Sequence, residues 1–261
     1  MEIRLEDVTF GYNENETVLH NINLTIDEPG LICIIGPNGV GKSTLIRCMN
    51  KLSEPTLGKV YIDGKNIEEY TLRDLAMFMS YVPVKTQDCF AMNVIDTILV
   101  GRHNKNKWRT TDEDLAAVQS VMKLMGIEDL AMRNFNELSA GQHQKVAIAR
   151  GLVQDPKILI LDEPTSNLDV RHQIYVTQML RAIAEERGIT VIMISHDLNI
   201  SAKYAHRIIV MSPPGVIYRN GTPDEVITED VVRHVYGVEC SIVRDEGRPH
   251  TILKTELPTE Y

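Results

Sequence analysis

The sequence predicts an α/β fold: a mostly parallel sheet with helices on both faces, an antiparallel β layer beside it, and a helical block inserted into it. Three observations lead there. The apolar runs at 31–35, 157–161 and 189–194 have the length and unbroken hydrophobicity of strands buried on both faces of a parallel sheet. Segments with helical spacing separate the later runs, as in β-α-β units. The chain has 261 residues, 43% of them hydrophobic and 24% charged, which is enough to bury a sizeable core and argues against disorder.

The elements follow in order. Ile3, Leu5, Val8 and Phe10 lead into Gly11-Tyr12-Asn13, and Ile22, Leu24 and Ile26 alternate again, so the first residues read as strands closed by the turn Asp27-Glu28-Pro29-Gly30. After the run at 31–35, a glycine-rich turn enters a helix at about 42–51 with Leu45, Ile46 and Met49 on one side. Residues 59–62, closed by Asp63-Gly64, read as a strand entering a hairpin, and 80–82 as a strand ending at Pro83. From about 86 to 154 the pattern is helical. Segments 92–100 and 112–125 have helical spacing, the second capped by Thr110-Thr111 and closed by Gly126, and a third helix covers 142–153. Strand 157–161, helix 170–187 ended by Gly188, strand 189–194, helix 197–204 and strand 207–211 then alternate. The expected organisation is a single domain. Residues 1–85 and 155–238 form the β subdomain and core, 86–154 a helical subdomain, and 239–261 a weakly patterned peripheral segment.

The formal charge of −9, from 27 basic and 36 acidic residues, disfavours a partner such as nucleic acid that is held by a broad basic surface. No run approaches the ~18 apolar residues of a membrane helix, and the N-terminus lacks the charge and apolar stretch of a signal peptide. Cys33, Cys48, Cys89 and Cys240 lie far apart with no Cys-x-x-Cys pair, as expected of buried or half-buried thiols in a reducing compartment. The expectation is a soluble cytoplasmic protein.

Gly36-Pro37-Asn38-Gly39-Val40-Gly41-Lys42-Ser43-Thr44 matches the phosphate-binding P-loop, between a buried strand and a helix. Its glycines let successive amides curve around phosphates, and the helix N-terminus adds a favourable dipole. Lys42 is expected at the β and γ phosphates and the Ser43 hydroxyl at Mg²⁺. The strand ending in Asp162-Glu163 supplies a second element. Asp162 can hold Mg²⁺ directly or through water, and Glu163 can polarise an attacking water. These two motifs define a P-loop nucleotide hydrolase or kinase. Leu138-Ser139-Ala140-Gly141-Gln142 narrows the choice, because a hydroxyl and free amides at a helix start make a further anion site. One chain with one P-loop has no use for it. A dimer in which each chain offers it to the partner's nucleotide does.

With these residues in place, the sequence resembles the ATP-binding cassette (ABC) ATPases over nearly its whole length. Leu138 to Gln142 is similar to their signature motif, with Ala140 where glycine is commonest. Ser166-Asn167-Leu168-Asp169 is similar to their D-loop, His196 to their switch histidine, and Tyr12 to the aromatic residue that stacks on adenine. The resemblance implies two cassettes sandwiching two Mg-ATP molecules, each site joining one chain's P-loop, Asp162, Glu163 and His196 to the other's Ser139 and Gly141. It further implies a motor on the cytoplasmic side of a membrane, held by separate permease subunits that contact the helical subdomain and served by an extracytoplasmic solute-binding protein. The stretch from Met92 to Arg102 and the phrase Ser166 to Gln173 look most like ATPases of iron-siderophore, haem and cobalamin importers. ATPases for another solute such as a metal ion, and soluble non-transport ABC ATPases acting on ribosomes or DNA, are the alternatives.

One position departs from the family. A glutamine that ligates Mg²⁺ usually follows the strand-ending proline, but Pro83 is followed by Val84, which cannot coordinate a metal. The nearest glutamine is Gln87, and three extra residues of loop can span up to ~10 Å. Gln87 is the expected substitute; Thr86, water, or loss of the contact are the alternatives.

Overall fold

The computed structural model describes residues 1–13, 16–84, 92–102 and 110–256. The chain opens with β1 (Ile3–Asn13) and β2 (Glu16–Ile26), an antiparallel pair in which Ile3 faces Ile26 and buried and exposed residues alternate. β3 (Gly30–Ile35) is buried at every residue, and α1 (Lys42–Met49) follows the glycine turn. β4 (Leu57–Ile62) and β5 (Lys65–Asn66) complete a four-stranded sheet in the order β2-β1-β4-β5. After the short α2 (Leu72–Leu75), β6 (Met79–Val82) joins the second sheet.

The inserted helices are α3 (Val94–Leu99), α4 (Asp112–Met125) and α5 (Ala140–Leu152). α3 starts two residues later than its periodicity suggests, because the Asn93 side chain accepts from the Asp96 amide at 2.8 Å and caps it there. α5 starts two residues earlier than expected, because Ser139 is its N-cap. Arg102 and Asp114 form a buried ion pair at 2.8 Å inside the block, and Asp114 also closes the Thr111 capping box of α4. The core resumes with β7 (Ile158–Leu161), α6 (Val170–Arg187), β8 (Thr190–Ile194), α7 (Leu198–Tyr204), β9 (Arg207–Ser212) and β10 (Val216–Gly221).

The second sheet runs β10-β9-β3-β8-β7-β6; all its pairs are parallel except β10 with β9. Its two faces carry different layers. Leu31, Cys33 and Ile35 pack with α5 and α6, whereas Ile32 and Ile34 pack with α1 and the antiparallel sheet. Helices therefore lie on both faces, but on one of them a β layer shares the cover.

The helical block leaves from β6 and returns to β7, two strands paired with Val82 opposite Leu161. The Ser80 hydroxyl donates to the Gly151 carbonyl at 2.8 Å, fastening the end of α5 to β6. The C-terminal segment is more ordered than its weak patterning suggests. After α8 (Pro223–Val226) and α9 (Glu229–Tyr236), β11 (Val238–Asp245) and β12 (Arg248–Glu256) form a hairpin. It is peripheral but docked, since Asn199 of α7 and Thr251 exchange hydrogen bonds at 2.7 and 3.1 Å.

Candidate functional site

The carboxyl ends of β3, β7 and β8 converge on a cleft of 650 Å³ lined by Tyr12, Glu16, Val18, Asn38, Gly39, Gly41, Lys42, Ser43, Thr44, Glu163, Ser166 and His196. The turn after β3 is glycine-rich for steric reasons. Gly36 has φ 149°, and a Cβ there would lie 2.4 Å from the Met211 carbonyl oxygen. Gly41 has φ 97°, and its Cβ would lie 2.9 Å from Leu19. No side chain caps α1, so its first-turn amides are left for a ligand, the arrangement that binds phosphates at helix N-termini. Val40 turns its side chain into the core and has only its backbone to offer.

Lys42 is buried and folds over the turn, its Nζ donating to the carbonyls of Gly36 and Pro37 at 2.8 Å each. Burial lowers its pKa, against the opposing pull of Glu163 and Asp162. Asp162 lies beneath the cleft, only 5% exposed. Its Oδ1 accepts from Ser43 Oγ at 2.9 Å and its Oδ2 from the Tyr81 hydroxyl at 3.2 Å. Burial raises the Asp162 pKa; the two hydrogen bonds act against this, and the neighbouring Glu163 adds to it. Glu163 adopts φ 47°, an uncommon conformation for a residue with a side chain, and its Oε1 lies 2.8 Å from His196 Nε2. Tyr12, at the mouth, is 54% exposed; its ring meets Phe10 edge-on at 5.0 Å and its hydroxyl is 3.2 Å from Thr44 Oγ1.

The structure thus brings Tyr12, the phosphate turn, Lys42, Ser43, Thr44, Asp162, Glu163 and His196 to one place. Ser139, Gly141, Gln142 and Asp169 do not line this cleft. Ser139 and Gln142 form a reciprocal capping box at the start of α5, with Ser139 N donating to Gln142 Oε1 at 3.0 Å. Asp169 caps α6 and holds His172, whose ring would lie 3.1 Å from a Cβ on Gly141, so the starts of α5 and α6 abut. Gln87 lies outside the described residues.

Four contributors carry no motif signal: Glu16 and Val18, which line the cleft across the hairpin from Tyr12, and Tyr81 and Arg47; Ser166, the first residue of the motif ending at Asp169, lines the cleft as well. Burial alone would lower the Arg47 pKa, but contact with Tyr12 and Tyr81 raises it. The nearest sequence clue to Tyr81 is its place on a strand that ends beside Asp162.

Fold and site together describe a nucleotide-binding ATPase. A family model described as ABC transporter matches residues 19–166, and the chain belongs to that family. It is 39% identical to an uncharacterised ABC transporter ATP-binding protein of Methanocaldococcus jannaschii, over 95% of this chain and 96% of that one. It is 35% identical to the ferric enterobactin transport ATP-binding protein FepC of Escherichia coli, over 93% of this chain and 90% of that one. Among solved structures it resembles the dimeric bacterial ABC transporter cassette MJ0796, with TM-score 0.75 and 30% identity, over 84% of this chain and 98% of that one. The same cassette is known in a dimeric post-hydrolysis state bound to ADP and phosphate. As a member of this family the chain is an ATP hydrolase. Among the described residues no helix is long and apolar enough to cross a membrane.

Proposed function

We propose that the chain is the ATP-driven motor of an importer for metal chelates of the iron-siderophore, haem or cobalamin type. One observation carries the motor reading: the cleft holds half of a hydrolytic site. The phosphate turn, Lys42, Asp162 and the Glu163–His196 pair face one cleft, while the anion-binding helix start at Ser139 lies outside it. Two copies related by a two-fold axis supply the missing half to each other, in keeping with the dimeric cassette it resembles. The relative named for ferric enterobactin transport supports the solute class.

In this reading Tyr12 stacks on adenine, and the turn from Gly36 to Thr44 with Lys42 holds the phosphates. Glu163 takes the proton of the attacking water while His196 fixes its carboxylate. The partner's Ser139, Gly141 and Gln142 close over the γ-phosphate, and Asp169 aligns the two halves. Ser43 and Asp162 fit Mg²⁺, since the ion favours hard oxygen donors and binds through one or two protein groups plus phosphate and water. When bound it would neutralise charge on the phosphates. Residues 86–154 form the subdomain that meets the permease, on the cytoplasmic side of the membrane, with an extracytoplasmic binding protein delivering solute.

Transport is the test. The chain and its permease, expressed in a strain lacking its own siderophore, haem and cobalamin import ATPases, should restore uptake of one of these labelled chelates, and Glu163→Gln should abolish it. Active ATP hydrolysis by the assembled complex with uptake of none of them would sink the solute assignment.

A further inference from the structure

The Asp162 carboxylate is held from two directions. Ser43, which holds Oδ1 at 2.9 Å, is on α1, and Tyr81, which holds Oδ2 at 3.2 Å, is on β6. β6 is also tied to the backbone of Asp162, whose amide donates to the Val82 carbonyl at 2.9 Å. At 5% exposure, water is a poor substitute for either donor. Tyr81 is half-buried against the apolar layer beneath the parallel sheet and does not line the cleft, so its hydroxyl reaches the site through Asp162.

The Asp162 carboxylate, which only accepts when ionised, fixes the direction of that hydrogen bond, and Arg47 does not compete for the proton. Arg47 lies four residues after Ser43, on the same face of α1, and beside the Tyr81 phenol. A guanidinium only donates. It therefore offers the Tyr81 oxygen no acceptor, and the single phenolic proton goes to the Asp162 carboxylate. Val84, two residues past the end of β6, has no side-chain oxygen to offer.

We infer that Tyr81 is a positioning residue for the divalent cation bound with the nucleotide: its hydroxyl locks the rotation of the Asp162 carboxylate and keeps Oδ1 at Ser43. The inference rests on reading Asp162 and Ser43 as the cation's protein ligands.

Tyr81→Phe removes only the hydroxyl. Mn²⁺ serves as the probe, titrated into the full-length chain carrying one equivalent of ADP and followed by electron paramagnetic resonance, which reads cation affinity without turnover. The variant should bind Mn²⁺ roughly 10- to 100-fold more weakly, the effect of losing one hydrogen bond to a charged group. The Mg²⁺ concentration for half-maximal hydrolysis should rise by a similar factor, with ADP affinity in EDTA unchanged within about twofold. Unchanged Mn²⁺ affinity overturns the inference. So does an equal loss of ADP affinity in EDTA, which would make the hydroxyl a support of the fold. Asp162→Asn separates the two layers of the argument. If it leaves Mn²⁺ affinity intact, the cation reading fails and takes the inference with it; if it weakens binding while Tyr81→Phe does not, the inference alone fails.

Discussion

Replacing Glu163 by glutamine isolates the chemical step. Glutamine keeps the size, and it tolerates φ 47° no better and no worse than glutamate, so the loop after β7 should hold its shape. Its Oε1 can still accept from His196 Nε2, now 2.8 Å from the carboxylate. What disappears is a proton acceptor and one negative charge. Loss of a positioned base costs about 10²- to 10⁴-fold in rate, or about 2.7 to 5.4 kcal/mol of barrier. The lost charge acts in the opposite sense on binding. Burial chiefly raises the Asp162 pKa and Glu163 adds to it, so removing Glu163 makes the Asp162 carboxylate easier to ionise and reduces repulsion of phosphates. ATP binding should therefore persist or tighten while turnover falls, and dimers should accumulate. Phosphate release at saturating Mg-ATP, paired with size-exclusion chromatography in the same buffer, measures both. Hydrolysis at the parental rate would refute the assignment of Glu163 as the base, and a parallel loss of ATP affinity would move it to the binding machinery.

Ser139→Arg should abolish hydrolysis, although it removes only a helix cap worth about 0.5–2 kcal/mol to the fold; mixed with Lys42→Ala chains it should regain activity through one intact composite site, and no recovery would contradict a site shared between chains. Gly36→Ala should lower the melting temperature more than Gly39→Ala: the first drives a Cβ to 2.4 Å from a carbonyl oxygen, while the second, at φ 78° with open space around it, carries only the ~1–2 kcal/mol of left-handed strain. The reverse order in thermal melts would count against the packing of this turn. Burial pushes the Cys33 and Cys48 thiols up from 9.0 to about 12, so at pH 8 their thiolate fraction is about a thousandfold below that of an unperturbed thiol and rises tenfold per pH unit. Alkylation with peptide mapping should find both unmodified in the native protein and modified after denaturation.

Helices α4 and α6 were legible to the residue, because the chemistry of their ends is local. Thr111 with Asp114 and Asp169 with His172 mark the starts, and Gly126 and Gly188 in left-handed geometry mark the stops. The phosphate turn, Asp162, Glu163 and His196 were legible for a related reason, since each belongs to a short motif at a strand end. Ser139 belongs to an anion-binding motif and also caps α5, and a cap that doubles as part of a motif shifts the helix start away from where periodicity alone puts it. The hairpin β11–β12 escaped because its alternation is inverted. Thr251 and Pro249 are buried while Val243, Ile252 and Leu253 are exposed, a pattern dictated by docking on α7 rather than by hydropathy. α2 and α8, four residues each, are too short to show a period. Tyr81 and Arg47 were invisible for another reason: a strand residue and a helix residue meet only after folding, and neither spacing nor composition marks the encounter.

The helical block is held to the core along β6, where α5 comes back against the strand through Ser80 and Gly151, and again where Gly141 of α5 abuts His172 of α6. Mechanically it is a beam resting on two supports. A push on that beam is borne by both supports. The first includes the Val82 carbonyl, which holds the Asp162 amide at 2.9 Å, and the second is the start of α5 beside its cap, Ser139. In the proposed dimer a tilt of the beam would therefore bear on the backbone behind Asp162 and on the helix start at Ser139 together.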